Sequence, residues 1–154
     1  MPKLRRVDLF TLDDVIADIS ALRDKGYECG GNWNLSQMCE HLGGTIRIGI
    51  DGTMKPLPWM LRVTLGNFMF WLFTRRLTRG FKGIKTLPQL VPAESQSDND
   101  VLIDECLAMM AQARDLAELE HSYPLATSVT VEKWKQMMIV HSQHHLEFLR
   151  PRES

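Results

Sequence analysis

The strongest constraint on how this chain can fold lies in Val131 to Leu149, VEKWKQMMIVHSQHHLEFL. On a helix, Val131, Trp134, Met138, His141, His145 and Phe148 form one stripe with steps of three and four residues. That is the spacing of a helix facing a bundle. Two of the six positions are histidine. A stripe that only seals a core stays apolar, because each buried imidazole must find a hydrogen-bond partner. Two histidines four apart point the same way, one turn apart, and can hold one metal ion. The stretch therefore predicts a helix that supplies two metal ligands inside a helical bundle, while the rest of the chain builds the bundle and a third ligand.

Elsewhere the pattern is helices and turns. Thr11 caps a first helix with Asp13 and Asp14 in its first turn, where acids favour the dipole. Leu12, Val15, Ile16, Ile19 and Leu22 make its apolar face, which ends near Gly26. GYECGGNWN reads as a loop. Asn34 or Ser36 starts a second helix that runs to about Gly49, with an inner stripe of Leu35, Met38, Leu42, Thr45, Ile46 and Gly49 and with His41 at its edge. Gly43 and Gly44 cost about 1 kcal/mol each relative to Ala, and their size lets another element approach closely. After the turn DGTMKPLP, an aromatic-rich run to about Arg79 reads as one helix, with Gly66 and Asn67 as its weak point.

FKGIKTLPQLVPAESQSDND reads as an extended crossover. Asp98 or Asp100 starts the next helix, whose stripe is Leu102, Cys106, Met109, Ala113, Leu116 and Glu120, widened by Ile103, Met110 and Ala117. HSYPLATSVT is a connection, Thr130 caps the last helix, and the tail RPRES reads as frayed. There is no alternating strand pattern of useful length. The expected fold is an all-α bundle in one domain, 1–154, with a long crossover and an additional aromatic-rich helical segment.

With 154 residues, the chain can bury a real core. A formal net charge of -1 excludes the global basic field of a nucleic-acid binder. Cys29, Cys39 and Cys106 are odd in number and lack a CxxC, which argues against a disulfide framework and fits a cytoplasmic protein. The N-terminal MPKLRRVDLFTLDD has no apolar run and does not resemble a secretory signal. Leu57 to Thr74 is interrupted by Pro58, Arg62, Gly66 and Asn67, so it reads as a buried or dimer-facing helix, not a membrane span. A membrane-surface contact is the weaker alternative.

His41 is the one histidine on another inward-facing helix. Three neutral imidazoles leave positions open for water or substrate, the arrangement of a catalytic site. Zinc, nickel and iron all suit imidazole. The plainer reading is that these are packed or surface histidines. His144, three residues after His141, competes with His145 but falls off the stripe and reads as a flanking group, while Gln143 and Glu147 read as solvent-facing.

Trp134, six residues, His141, two residues, then His144-His145 resembles the C-terminal motif of the DinB/YfiT-like superfamily of metal-dependent enzymes. HSYPLATSVTVEKWKQMMIVHSQHHLEFL is similar to the ending of one uncharacterised family within it, and PLPWMLR looks like that family's middle. WNLSQMCEHL matches the superfamily's second-helix motif, in which the position of His41 is the first ligand. The resemblance implies a four-helix bundle in up-down-down-up order, often a homodimer, with a divalent metal on His41, His141 and His145. It also implies a small-molecule substrate, with transferases of low-molecular-weight thiols and a hydrolase among the relatives. The chain departs from the family pattern at His121-Ser122-Tyr123-Pro124-Leu125, where the family has His-Pro, an aromatic and Gly.

A metal at these histidines would deprotonate a thiol or acidify a water. No catalytic base stands out: Glu40 and Cys39 fall off the inner face, and Asp51 and Asp104 can serve helix ends instead. His121 reads as a cap on the preceding helix's C-terminus. Arg75, Arg76, Arg79 and Lys82 read as a solvated helix end, with anion binding as the alternative. The competing functional reading is a non-catalytic bundle that binds or dimerises through Trp59, Phe70 and Trp71.

Overall fold

Asn34 starts the helix that carries the first histidine. In the computed structural model, which describes residues 4–76 and 85–152, its side chain accepts from the Gln37 backbone N–H, and the Gln37 side chain answers the Asn34 N–H. This capping box opens α2 (Leu35–Asp51) and is worth about 1 kcal/mol. Thr11 and Asp14 build the same device at the start of α1 (Leu12–Lys25). A strand β1 (Tyr27–Cys29) follows α1. The aromatic run forms α3 (Trp59–Leu61), a π turn (Arg62–Gly66) and α4 (Asn67–Thr74). A short 3-10 turn (Pro88–Leu90) interrupts the crossover before α5 (Asp100–Asp115). Thr130 caps α6 (Val131–Leu146), and β2 (Leu149–Pro151) closes the described chain.

The protein is an all-α helical bundle. α2 packs most extensively on α5, α1 packs on α5 and α6, and α6 also meets α2 and α4. The buried core draws Val15, Ile19 and Leu22 from α1, Leu35, Met38, Leu42 and Ile46 from α2, Ile103, Cys106 and Met110 from α5, and Trp134, Met138 and Leu146 from α6. At Gly49 an added Cβ would run into the Trp134 indole, so glycine sets how closely α2 approaches α6. Gly44 meets Leu90 of the 3-10 turn, 2.9 Å from where its Cβ would stand, as its size anticipated; Gly43 faces open space. Among the described residues, no helix is long and apolar enough to cross a membrane.

Several expectations need correction. The start of the loop after α1 and the start of the tail are not irregular: Tyr27, Glu28 and Cys29 pair antiparallel with Pro151, Arg150 and Leu149, while Gly30 to Asn34 form a loop as expected. The pair is too short for an alternating pattern to show, and the Arg152 N–H to Gly26 carbonyl bond at 3.1 Å extends it. α5 is rotated from the expected stripe, with Ile103 and Met110 at its buried centre; it ends at Asp115, leaving Ala117 and Glu120 exposed. Among the described residues of the aromatic run only Phe70 is buried, the irregularity is a π turn upstream of Asn67, and the helix ends at Thr74. Arg79 and Lys82 lie outside the described residues.

Gln143 and Glu147 are buried, not solvent-facing, each at 6% exposure. The N-terminal segment covers that side of α6. Gln143 Oε1 accepts from the Leu9 N–H at 3.1 Å and from Arg76 Nη1 at 2.7 Å. Arg76, which also donates to the Leu9 carbonyl, is therefore a structural tie rather than a solvated charge.

Candidate metal centre

α2 and α6 run antiparallel past each other, because Gly49 meets Trp134 while His41 meets His141. His41 precedes Gly49 by about two turns and His141 follows Trp134 by about two turns. The glycine contact thus fixes the register that brings the two helices' histidines together. His41 Nε2 lies 3.1 Å from His141 Nε2, and His145 Nε2 lies 3.0 Å from the same atom. The three rings are the one group of His, Cys, Asp or Glu among the described residues that could hold a metal ion. His41 is buried, at 4% exposure; His141 and His145 are half-buried.

The donor chemistry fits a divalent ion. His41 Nδ1 donates to the Leu90 carbonyl at 2.9 Å, which leaves its Nε2 with a lone pair. Three nitrogens so close cannot satisfy one another, since each contact needs a proton between two lone pairs. A cation at their centre satisfies all three, and tetrahedral zinc holds its nitrogens about 3.3 Å apart, close to the spacing here. All three imidazoles stay neutral at pH 7. Burial holds His41 below the ordinary histidine range, partly offset by its bond to Leu90. Burial, reinforced by His41 and His144, pushes His141 down to about 3. Burial and the neighbouring histidines hold His145 well below its usual value. Neutral imidazole is the metal-binding form.

A cavity of about 200 Å³ opens on the three rings. Ile48, Phe73, Leu87, Leu90, Leu125 and Met137 give it apolar walls, and Lys85, an exposed residue, also lines it. Tyr123 lines it too. Its hydroxyl is buried with no hydrogen-bond partner among the described residues, and burial pushes its pKa up, so it remains a proton donor. Among the described residues, His141 Nδ1 is the other buried polar side-chain atom of the site without a partner. Trp33 stacks on His145 with ring centroids 5.7 Å apart and lies 5.2 Å from His41.

His144 lines the cavity but is not in the triad; it packs edge-on against His145 and Phe148. Glu40 is exposed and accepts from the Ala93 N–H. Cys39 is buried on Cys106, whose hydrogen bond, with burial, pushes the Cys39 thiol far up. Asp104 pairs with Arg23 at 2.6 Å, and Asp51 is exposed and does not line the cavity. His121 does not cap α5, which ends at Asp115, six residues earlier; it lies against Gly52 at the C-terminus of α2.

Reading the sequence alone missed Tyr123, Trp33 and the Leu90 carbonyl. Trp33 carried a signal, an apolar residue just before an N-cap, where hydrophobic staples sit. Tyr123 and Leu90 carried none, because only the fold brings their segments to the site.

A family model described as a protein of unknown function (DUF1569) matches residues 1–152. No curated protein and no solved structure matches. The whole described bundle, with its three histidines, lies inside that match, and the chain belongs to the DUF1569 family.

Proposed function

We infer that the protein is a metal-dependent enzyme acting on a small molecule, with a divalent ion, zinc or nickel, held by His41, His141 and His145. The observation that carries this reading is the meeting of three neutral imidazole Nε2 atoms at the floor of an apolar cavity. The bound ion would acidify a thiol or a water in an open position. Leu90 orients His41, and Trp33 fixes the His145 ring. The apolar walls keep water from the reacting centre, which strengthens electrostatic interactions there. Tyr123 donates a hydrogen bond to an oxygen of the substrate, and Lys85 attracts an anionic group on it. Thiol transfer to an electrophile and hydrolysis of an amide or ester are the two reactions that use these parts. We further propose that the chain is a single DinB-like domain spanning 1–154, a reading supported by the sequence motifs around these three ligands.

Metal analysis of purified, untagged protein tests the site. About one divalent ion per chain is expected in the wild type. His41→Ala, His141→Ala and His145→Ala should each lose it while keeping their helical circular dichroism. A wild type that takes up no zinc or nickel overturns the reading.

Tyr123→Phe gives a second check. An unpartnered buried hydroxyl costs stability, so its removal should leave stability unchanged or raise it by about 1 kcal/mol in urea denaturation. A loss of more than 1 kcal/mol would mean that the hydroxyl is bonded within the protein, leaving it no role toward substrate.

A further inference from the structure

The aromatic run presents an apolar face that the other described residues leave exposed. Among the described residues twelve large hydrophobic side chains are exposed, and eight of them fall between Leu57 and Trp71. Trp59 and Met60 are 68% and 71% exposed, and Leu65, Phe68 and Trp71 follow along the same helical stretch. A patch of this kind on a folded protein marks an interaction surface. It is held rigidly. Phe70 packs into the core, Asn67 makes two hydrogen bonds to Thr127 at 2.8 Å, and Gln136 of α6 donates to the Thr74 carbonyl.

The charge around this face says what covers it. From Gly52 to Ala93 the sequence contains no Asp or Glu, whereas it carries seven Lys or Arg. All 19 acidic residues of the chain lie elsewhere. Within the segment, Arg62 and Arg76 are used internally, on the carbonyls of Tyr123 and Leu9. Lys55 and Arg75 are exposed and bracket the apolar stretch at its two ends, with the Arg75 guanidinium 6.0 Å from the Trp71 ring centre. A second copy of the same face would set basic groups against basic groups, because a two-fold contact pairs a surface with itself. An anionic lipid surface supplies the missing charge, and its headgroup boundary suits tryptophan and phenylalanine.

We propose that the Trp59–Trp71 face docks the protein on an anionic membrane surface, with Lys55 and Arg75 against the headgroups. The helix lies on the membrane and does not cross it. The cavity wall residue Phe73 belongs to the same helix, so docking sets the cavity beside the lipid.

Co-sedimentation of the full chain with vesicles tests this. Vesicles of phosphatidylcholine with phosphatidylglycerol should bind roughly tenfold more protein than phosphatidylcholine alone. Added salt should erode that difference, and tryptophan emission should shift to the blue on binding. Trp59→Ser with Phe68→Ser should abolish binding to both vesicle types. Lys55→Glu with Arg75→Glu should remove only the preference for the anionic lipid. All four side chains are exposed, so both double variants should fold as the wild type does. Absence of binding to anionic vesicles overturns the proposal. So does a stable dimer in sedimentation velocity that Trp59→Ser with Phe68→Ser dissociates.

Discussion

Trp134→Ala is expected to lower folding stability by about 4 kcal/mol, the cost of emptying a fully buried indole site. The companion change is more diagnostic. In the wild type, Gly49→Ala drives a methyl group into the Trp134 ring. Overpacking of that kind costs about 1–3 kcal/mol, set against a gain of about 1 kcal/mol from replacing a helical glycine. The net should be destabilising by up to about 2 kcal/mol, because the clash is with a ring held on all sides. With Trp134 already truncated, the methyl group enters empty space and only the helical gain remains. Gly49→Ala should therefore change sign between the two backgrounds. Chemical denaturation of the four proteins in a double-mutant cycle measures this directly. The same sign in both backgrounds would mean that α2 and α6 do not meet at this pair, and the register that aligns His41 with His141 would fall with it. Metal binding should also weaken in Trp134→Ala, since the contact that spaces the helices is lost two turns from the site.

How much of this was legible in the sequence differs by element. The i, i+4 pair His141 and His145 was readable because helical geometry alone puts both rings on one face. His41 was readable as inward-facing because the stripe of Leu35, Met38, Leu42 and Ile46 fixes the helix's rotation. Gln143 and Glu147 were not readable. Their side of α6 is buried by Leu9 and Arg76, contacts more than sixty residues away in the chain, and no local pattern records them. The aromatic run misled in the opposite direction: apolar composition says that a face wants cover, not whether the chain provides it. The β1–β2 pair escaped notice because three residues per strand are too few to show a period of two.

The three histidines also make the metal-free protein sensitive to acid in a range where most proteins are at their most stable. Each titrates lower in the fold than in the unfolded chain, because burial penalises the charged ring. Between the folded value, about 3 for His141, and the unfolded value of about 6.5, the unfolded state binds more protons. Stability therefore rises with pH across this window, is fully present above about pH 6.5, and is lost progressively as pH falls towards about 3. His141 alone should account for at most about 5 kcal/mol, and less to the extent that its ring reaches solvent through the cavity. Carboxylates titrate near pH 4, so the upper part of the fall belongs to the histidines. Urea midpoints of chelator-treated protein should drop steadily from pH 7 to pH 5. His141→Phe, which keeps a ring but removes the titrating group, should flatten that slope. Zinc should flatten it as well, by binding the neutral imidazoles and raising the cost of protonating them. Flattening by His141→Phe without flattening by zinc would leave a buried histidine cluster that binds no metal, whereas a midpoint constant from pH 7 to pH 5 in the chelated wild type would mean that the rings are solvated and the cavity is wet.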